Sequence, residues 1–147
     1  MTVRLIYHGH ACFSIEGAGK TIWLDPFVTD NPLADIHLDD IKEADYILVS
    51  HGHGDHLGDA IAIAQQTGAM IISSHEIAVH CQEGGVEAHG LHIGGGYQFP
   101  LGRVKTTIAI MVPASPTAAT LATLVDSSSM WRTGRSISPP TPVSSMI

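Results

Sequence analysis

The sequence predicts a mixed α/β fold of the α+β type on three observations. Short β-like runs cluster near the N-terminus, a continuous apolar run Tyr46-Ile47-Leu48-Val49 follows a polar stretch, and helix-spaced apolar residues come directly after a histidine-rich loop. At 147 residues, 44% of them apolar and 14% charged, the chain is long enough for one domain with its own core.

The elements follow in order. Residues 3–8, 11–16 and 21–24 read as three strands of an antiparallel meander, broken at Gly9 and at Gly17-Ala18-Gly19-Lys20, which has hairpin-turn chemistry. Asp25-Pro26-Phe27 ends the third run, and the Asp-, Asn- and Pro-bearing stretch to Asp40 reads as a long irregular loop. Residues 46–49 are apolar without alternation, as in a strand buried on both faces. From Asp59 to Gly68, Ala60, Ile61, Ile63 and Ala64 fall at helical spacing with Gly68 as the C-terminal cap, and residues 69–72 form the next strand. A second helix is expected from about Glu76 to Glu83, closed by Gly84-Gly85, and a last β-like segment from Arg103 to Ala109. From residue 110 to 147 the chain is rich in Ser, Pro and Thr, without apolar periodicity. It divides into a folded portion, 1–109, and an irregular low-complexity tail, 110–147.

The net charge of −7, with only seven Lys and Arg, excludes the basic footprint of a nucleic-acid or anionic-membrane binder and leaves a small-molecule substrate as the expected partner. No run approaches the length of a membrane span, and the N-terminus alternates like a strand, so a cytoplasmic protein is expected. Cys12 and Cys81 sit in apolar stretches and read as packing thiols.

The chemistry lies in His51-Gly52-His53-Gly54-Asp55-His56, which follows a buried strand and precedes a helix. Imidazoles and carboxylates on a rigid element can each meet a metal near 2 Å, and the two glycines let a tight turn splay His51 and His53 to one side and Asp55 and His56 to the other. Two ions so held would acidify a shared water and polarise the oxygen under attack. A surface histidine run binding adventitious metal is the bland alternative, and the strand and helix around the motif argue against it.

The sequence resembles the metal-dependent hydrolases of the metallo-β-lactamase superfamily that lie near the L-ascorbate-6-phosphate lactonases. The resemblance runs through Gly9-His10-Ala11-Cys12-Phe13, Leu24-Asp25-Pro26-Phe27, Asn31-Pro32-Leu33-Ala34, Ala44-Asp45-Tyr46-Ile47-Leu48, the histidine motif, Gly58-Asp59-Ala60, His89-Gly90 and Ile93-Gly94-Gly95, covering about residues 1–109. It implies that His51 and His53 bind one divalent ion and Asp55 and His56 a second, with zinc or manganese the expected metals and Asp55 the catalytic carboxylate. It also implies the N-terminal half of an αββα sandwich and hydrolysis of an ester, lactone or phosphoester bond. His10 either lines the site or is structural. Asp25 either supports a ligand from behind or opens the turn before Pro26. Surface or packing roles are expected for His8, His37, His75, His80, His89 and His92.

After Ala109 the family pattern breaks. Its His-His-Gly, Gly-Asn-Pro and Gly-Asp-Thr landmarks and its C-terminal histidine do not occur in residues 110–147. Codons for Ile110-Met111-Val112 read one base earlier permit His-His-Gly, and residues 121–126, 127–135 and 141–146 permit further landmarks in order. This predicts a reading frame displaced by one base near codon 110. The chain as written is then expected to expose part of its apolar sheet face, to bind metal weakly and to hydrolyse poorly. The competing reading is a non-catalytic metal-binding or interaction module with a disordered Ser/Pro-rich tail.

Overall fold

The computed structural model of the chain describes residues 2–110 and 121–125. Six strands form one sheet in sequence order: β1 (Arg4–Tyr7), β2 (Phe13–Gly17), β3 (Lys20–Leu24), β4 (Tyr46–Leu48), β5 (Met70–Ser74) and β6 (Ala88–Leu91). The first three pair antiparallel and the rest parallel, so the expected meander passes into crossover units. At the β2–β3 turn, Gly17 pairs with Lys20 while Ala18 and Gly19 take φ of 53° and 71°. Two consecutive positive values match the strand twist of a tight hairpin.

The crossovers carry the helices. Between β4 and β5 the chain forms α1 (Gly54–Leu57) and α2 (Ala60–Thr67), and between β5 and β6 it forms α3 (His75–Glu83). The Ala60, Ile63 and Ala64 stripe of α2 is buried, and Gly68 ends the helix in the left-handed region, donating its N–H to the Ala64 carbonyl. These helices cover one face of the sheet, where Trp23, Ile47, Val49, Ile63, Ile71 and Cys81 share a core. Both cysteines are free and buried; burial pushes the Cys12 thiol up to about 12, as suits a packing residue.

A second sheet lies on the other face: β7 (Gly96–Phe99), β8 (Gly102–Ile110) and β9 (Leu121–Val125), all antiparallel. Phe99, Leu101 and Val104 pack on Ile22, Tyr46, Leu48, Ile72 and Leu91. The layer order is therefore helix, sheet, sheet. Tyr46 to Val49 is buried throughout because Ile47 and Val49 face the helices while Tyr46 and Leu48 face the second sheet.

Three strands, and the short helix α1 within the motif, were not legible in sequence. β6 and β7 lie in glycine-punctuated stretches too short for periodicity to register, and β9 falls in the segment expected to be irregular. Backbone pairing explains β9: the outer edge of β8 presents unpaired N–H and C=O groups, and an edge of that kind recruits an extended segment without requiring alternation from it. The other frame landmarks lie in residues 111–120 and 126–147, outside the described residues.

The second sheet covers the inner face of the first only in part. Leu5 and Tyr7 share that face through the register Leu5–Ile15–Ile22 and Tyr7–Phe13–Leu24, yet are 65% and 53% exposed. Ile108 alternates onto the same side of β8 as Val104 and Thr106 and is 66% exposed.

Candidate metal centre

The histidine motif begins three residues beyond β4, at the C-terminal end of the parallel strands, where crossover loops leave room for a site. Val49 donates its N–H to the Ile72 carbonyl, and Ser73 Oγ donates to the Val49 carbonyl, so the strand holds its position up to the motif. His51 is buried at 2% exposure, whereas His53 and Asp55 reach solvent and His56 is half-buried. Gly58 closes α1 with φ 42°, where an added Cβ would stand 2.5 Å from the Pro26 carbonyl oxygen. Asp59 then accepts hydrogen bonds from Val28 N, Thr29 N and Thr29 Oγ1. These contacts strap the long loop after β3 to the motif.

The four side chains form one cluster and do not separate into the two expected sides. His51 Nε2 lies 3.2 Å from His53 Nδ1 and His56 Nε2 lies 4.0 Å from Asp55 Oδ2, while the His51 ring is centred 4.7 Å from His53 and 4.0 Å from His56. Behind them stands Asp25, in the left-handed region at φ 41° and 8% exposed. It accepts from Ser50 N at 2.6 Å, from Ser50 Oγ at 2.5 Å and from His56 Nδ1 at 2.8 Å. With Nδ1 of His56 so engaged, Nε2 carries the free electron pair toward Asp55. Ser50 Oγ, its proton given to Asp25, accepts from His51 Nδ1 at 2.9 Å, which leaves His51 Nε2 as that ring's ligand atom. Of the two readings open for Asp25, the supporting one describes its contacts.

The electrostatics suit metal binding. Burial pushes the His51 imidazole below its ordinary value, and the neighbouring His56 and His53 rings add to the shift. Burial raises the Asp55 carboxyl, but its own backbone N–H and the fields of His56, His10 and His53 outweigh this and hold it below the usual range. A neutral imidazole and an ionised carboxylate are the forms that ligate.

His10, left open between two roles, comes to the site: its Nε2 is 3.1 Å from Asp55 Oδ2 and its ring packs edge-on against His56. Ser50 was missed altogether, since a serine before a histidine carries no spacing signal. His8 is a packing residue, stacked on Trp23 and bonded to Asp35 and Ser14, and His89 packs on Tyr97 and Phe99. A cavity of about 750 Å³ lies elsewhere, among Arg4, Ser14, Trp23 and Ile41, and no residue of the motif lines it. No helix among the described residues is long and apolar enough to cross a membrane.

Comparison with known proteins shows what the chain is similar to. A metal-dependent hydrolase of Heliobacterium modesticaldum is 54% identical over 108 residues, covering 74% of this chain and 45% of its own length. One from Geobacillus is 47% identical over 107 residues, covering 73% and 47%. The chain spans about half the length of the curated relatives it matches. Among solved structures, Igni18, a metallo hydrolase from Ignicoccus hospitalis, superposes with a TM-score of 0.72 at 33% identity over 85% of this chain and 56% of its own. A putative metal-dependent hydrolase from Parabacteroides distasonis shares the fold at a TM-score of 0.61 and 22% identity, over 76% of this chain and 48% of its own. The helix–sheet–sheet arrangement is thus the N-terminal half of the metallo-β-lactamase sandwich. With residues 4–116 matching the profile described as "Beta-lactamase superfamily domain", the chain belongs to the metallo-β-lactamase superfamily.

Proposed function

We propose that the site is the metal-binding half of a hydrolase centre, acting on an ester, lactone or phosphoester bond of a small molecule. His51 and His53 form one ligand pair and Asp55 and His56 the other, for two divalent ions, zinc or manganese. The observation that carries the reading is the convergence of these side chains beyond β4 with Asp25 behind them, orienting His56 directly and His51 through Ser50. Bound ions would supply Lewis acidity, acidifying water and polarising the scissile oxygen. The residues contribute the rest: Asp25 sets which nitrogen of His56 faces inward, burial keeps His51 neutral, and Asp55 presents an ionised carboxylate at the solvent edge of the site. A nuclease substrate is disfavoured by the net charge of −7.

Each proposed pair has two ligands, fewer than the three protein ligands usual for catalytic zinc, so this chain is expected to turn over slowly or not at all. The test is to strip the purified chain of metal, add Zn2+ or Mn2+, count bound ions, and assay nitrophenyl esters, lactones and phosphodiesters. Metal bound at the motif with little turnover supports the reading. Tight binding of two ions with rapid turnover would refute the expected impairment, and no saturable binding would refute the metal centre.

The same proposal extends to the tail. Matches to the relatives span 107–109 residues, in keeping with a frame displaced by one base near codon 110. Sequencing the gene through codons 100 to 150 decides it. A displaced frame that stays open through Gly-Asp-Thr to a histidine supports the slip, and one that closes at once rules it out.

A further inference from the structure

The Gly9-His10 turn holds a histidine in an uncommon backbone conformation beside the motif. His10 takes φ 54°, a left-handed conformation rare outside glycine, in a turn closed by bonds from His8 N to the Cys12 carbonyl and from Cys12 N to the Gly9 carbonyl. The turn is wedged in place: a Cβ on Gly9 would stand 2.6 Å from the Leu33 carbonyl oxygen, and the Leu33 loop is itself pinned by Asn31, whose side chain bonds Phe27 O and Leu33 N. This strain aims the His10 ring at Asp55. An exposed His–Asp pair in water is worth little, and the side chains of His10 and Asp55 are 40% and 49% exposed. Uncommon backbone conformations cluster at ligand sites, and here the turn sets the His10 ring edge-on between Phe27 and His56.

The distances show what the ring is aimed at. Two atoms bound to one ion at about 2.1 Å stand no more than about 4.2 Å apart. His10 Nε2 to Asp55 Oδ2 is 3.1 Å and Asp55 Oδ2 to His56 Nε2 is 4.0 Å, both inside that limit. With ligand atoms of all three residues within 4.8 Å of one another, the pair of His10 and His56 needs at most a small side-chain shift to meet it. The Asp25 bond to His56 Nδ1 leaves Nε2 of that ring available. Two imidazoles and a carboxylate on one side, with the other side open to solvent, is the donor set of a three-ligand site for a first-row divalent ion.

We propose that His10 is a direct ligand of the second ion, completing with Asp55 and His56 a two-histidine, one-carboxylate site contained within this chain. The inference rests on the metal-centre reading above and adds a third protein ligand to its second pair. The N-terminal turn thereby becomes part of the metal site.

The test maps histidine reactivity. The purified 147-residue chain is titrated with Zn2+ and treated with diethylpyrocarbonate, and modification at each histidine is read by mass spectrometry. A ring ligated through one nitrogen carries its proton on the other and ceases to attack the reagent. His10 is expected to lose reactivity at least about fivefold, along the same Zn2+ saturation curve as His56, and to regain it in Asp55→Asn. In a second measurement, His10→Asn, a residue that tolerates the left-handed turn, should weaken the second equivalent of Zn2+ at least about tenfold, with the circular dichroism spectrum unchanged. Protection of His53 and His56 while His10 reacts as in the metal-free chain would overturn the inference and leave the metal centre standing. Protection of none of these three would overturn both.

Discussion

Asp25 Oδ2 accepts a 2.8 Å hydrogen bond from His56 Nδ1 across 31 residues of chain. The same oxygen accepts from Ser50 Oγ, which in turn accepts from His51 Nδ1, so one buried carboxylate orients a ring from each proposed ligand pair. Asp25→Asn keeps the shape and tolerates the positive φ, but it places amide hydrogens or a weaker acceptor against donors. Zn2+ affinity should fall about 10- to 100-fold by competitive chelator titration. Unchanged affinity would show that His56 finds its orientation without Asp25.

Acid should weaken the fold through the site. Burial and the His56 and His53 rings hold the His51 pKa below its ordinary 6.5. The unfolded chain therefore takes up that proton first, and stability present above about pH 6.5 is lost as the pH falls from there toward the folded value. Asp55, whose carboxyl lies below 3.8, acts in the same direction further down: its contribution is present above about pH 3.8 and is lost as the pH falls through its lowered pKa. Denaturant midpoints should drop between about pH 7 and pH 5, and the drop should shrink in His51→Gln. An identical pH dependence in wild type and variant would remove His51 as the cause.

Gly58 joins the motif helix to the loop after β3 where a side chain has no room. At φ 42°, with the Pro26 carbonyl oxygen 2.5 Å from a would-be Cβ, Gly58→Ala should cost about 1–3 kcal/mol from backbone strain and more from the clash. Urea unfolding measures it. Gly68→Ala should cost less: at φ 78° and ψ 17° it lies in the left-handed helical region, which other residues enter at smaller cost than the φ 42°, ψ −123° of Gly58, and nothing lies within 4 Å of its added Cβ.

The uncovered end of the sheet should make the chain associate. Leu5 and Tyr7 lie on β1, which is an edge strand, and face the side that Phe99 and Leu101 cover only farther along. Leu5→Lys with Tyr7→Lys should reduce self-association in sedimentation velocity while shifting stability by no more than about 0.5 kcal/mol per site. An unaltered sedimentation profile would place any association elsewhere.

Much of this protein was legible before folding. The β1–β2–β3 meander, the doubly buried strand at Tyr46 and the α2 stripe with its Gly68 cap all depend on neighbours within a few residues, where periodicity and turn chemistry act directly. Tertiary structure alone decided the rest. It set Ser50 and Asp25 behind the ligands, brought His10 from 45 residues away to Asp55, and paired β9 with β8. Such relationships arise from the register of strands and the wedging of loops, as where Asn31 and Gly9 hold the His10 turn, and distance along the chain carries no record of them.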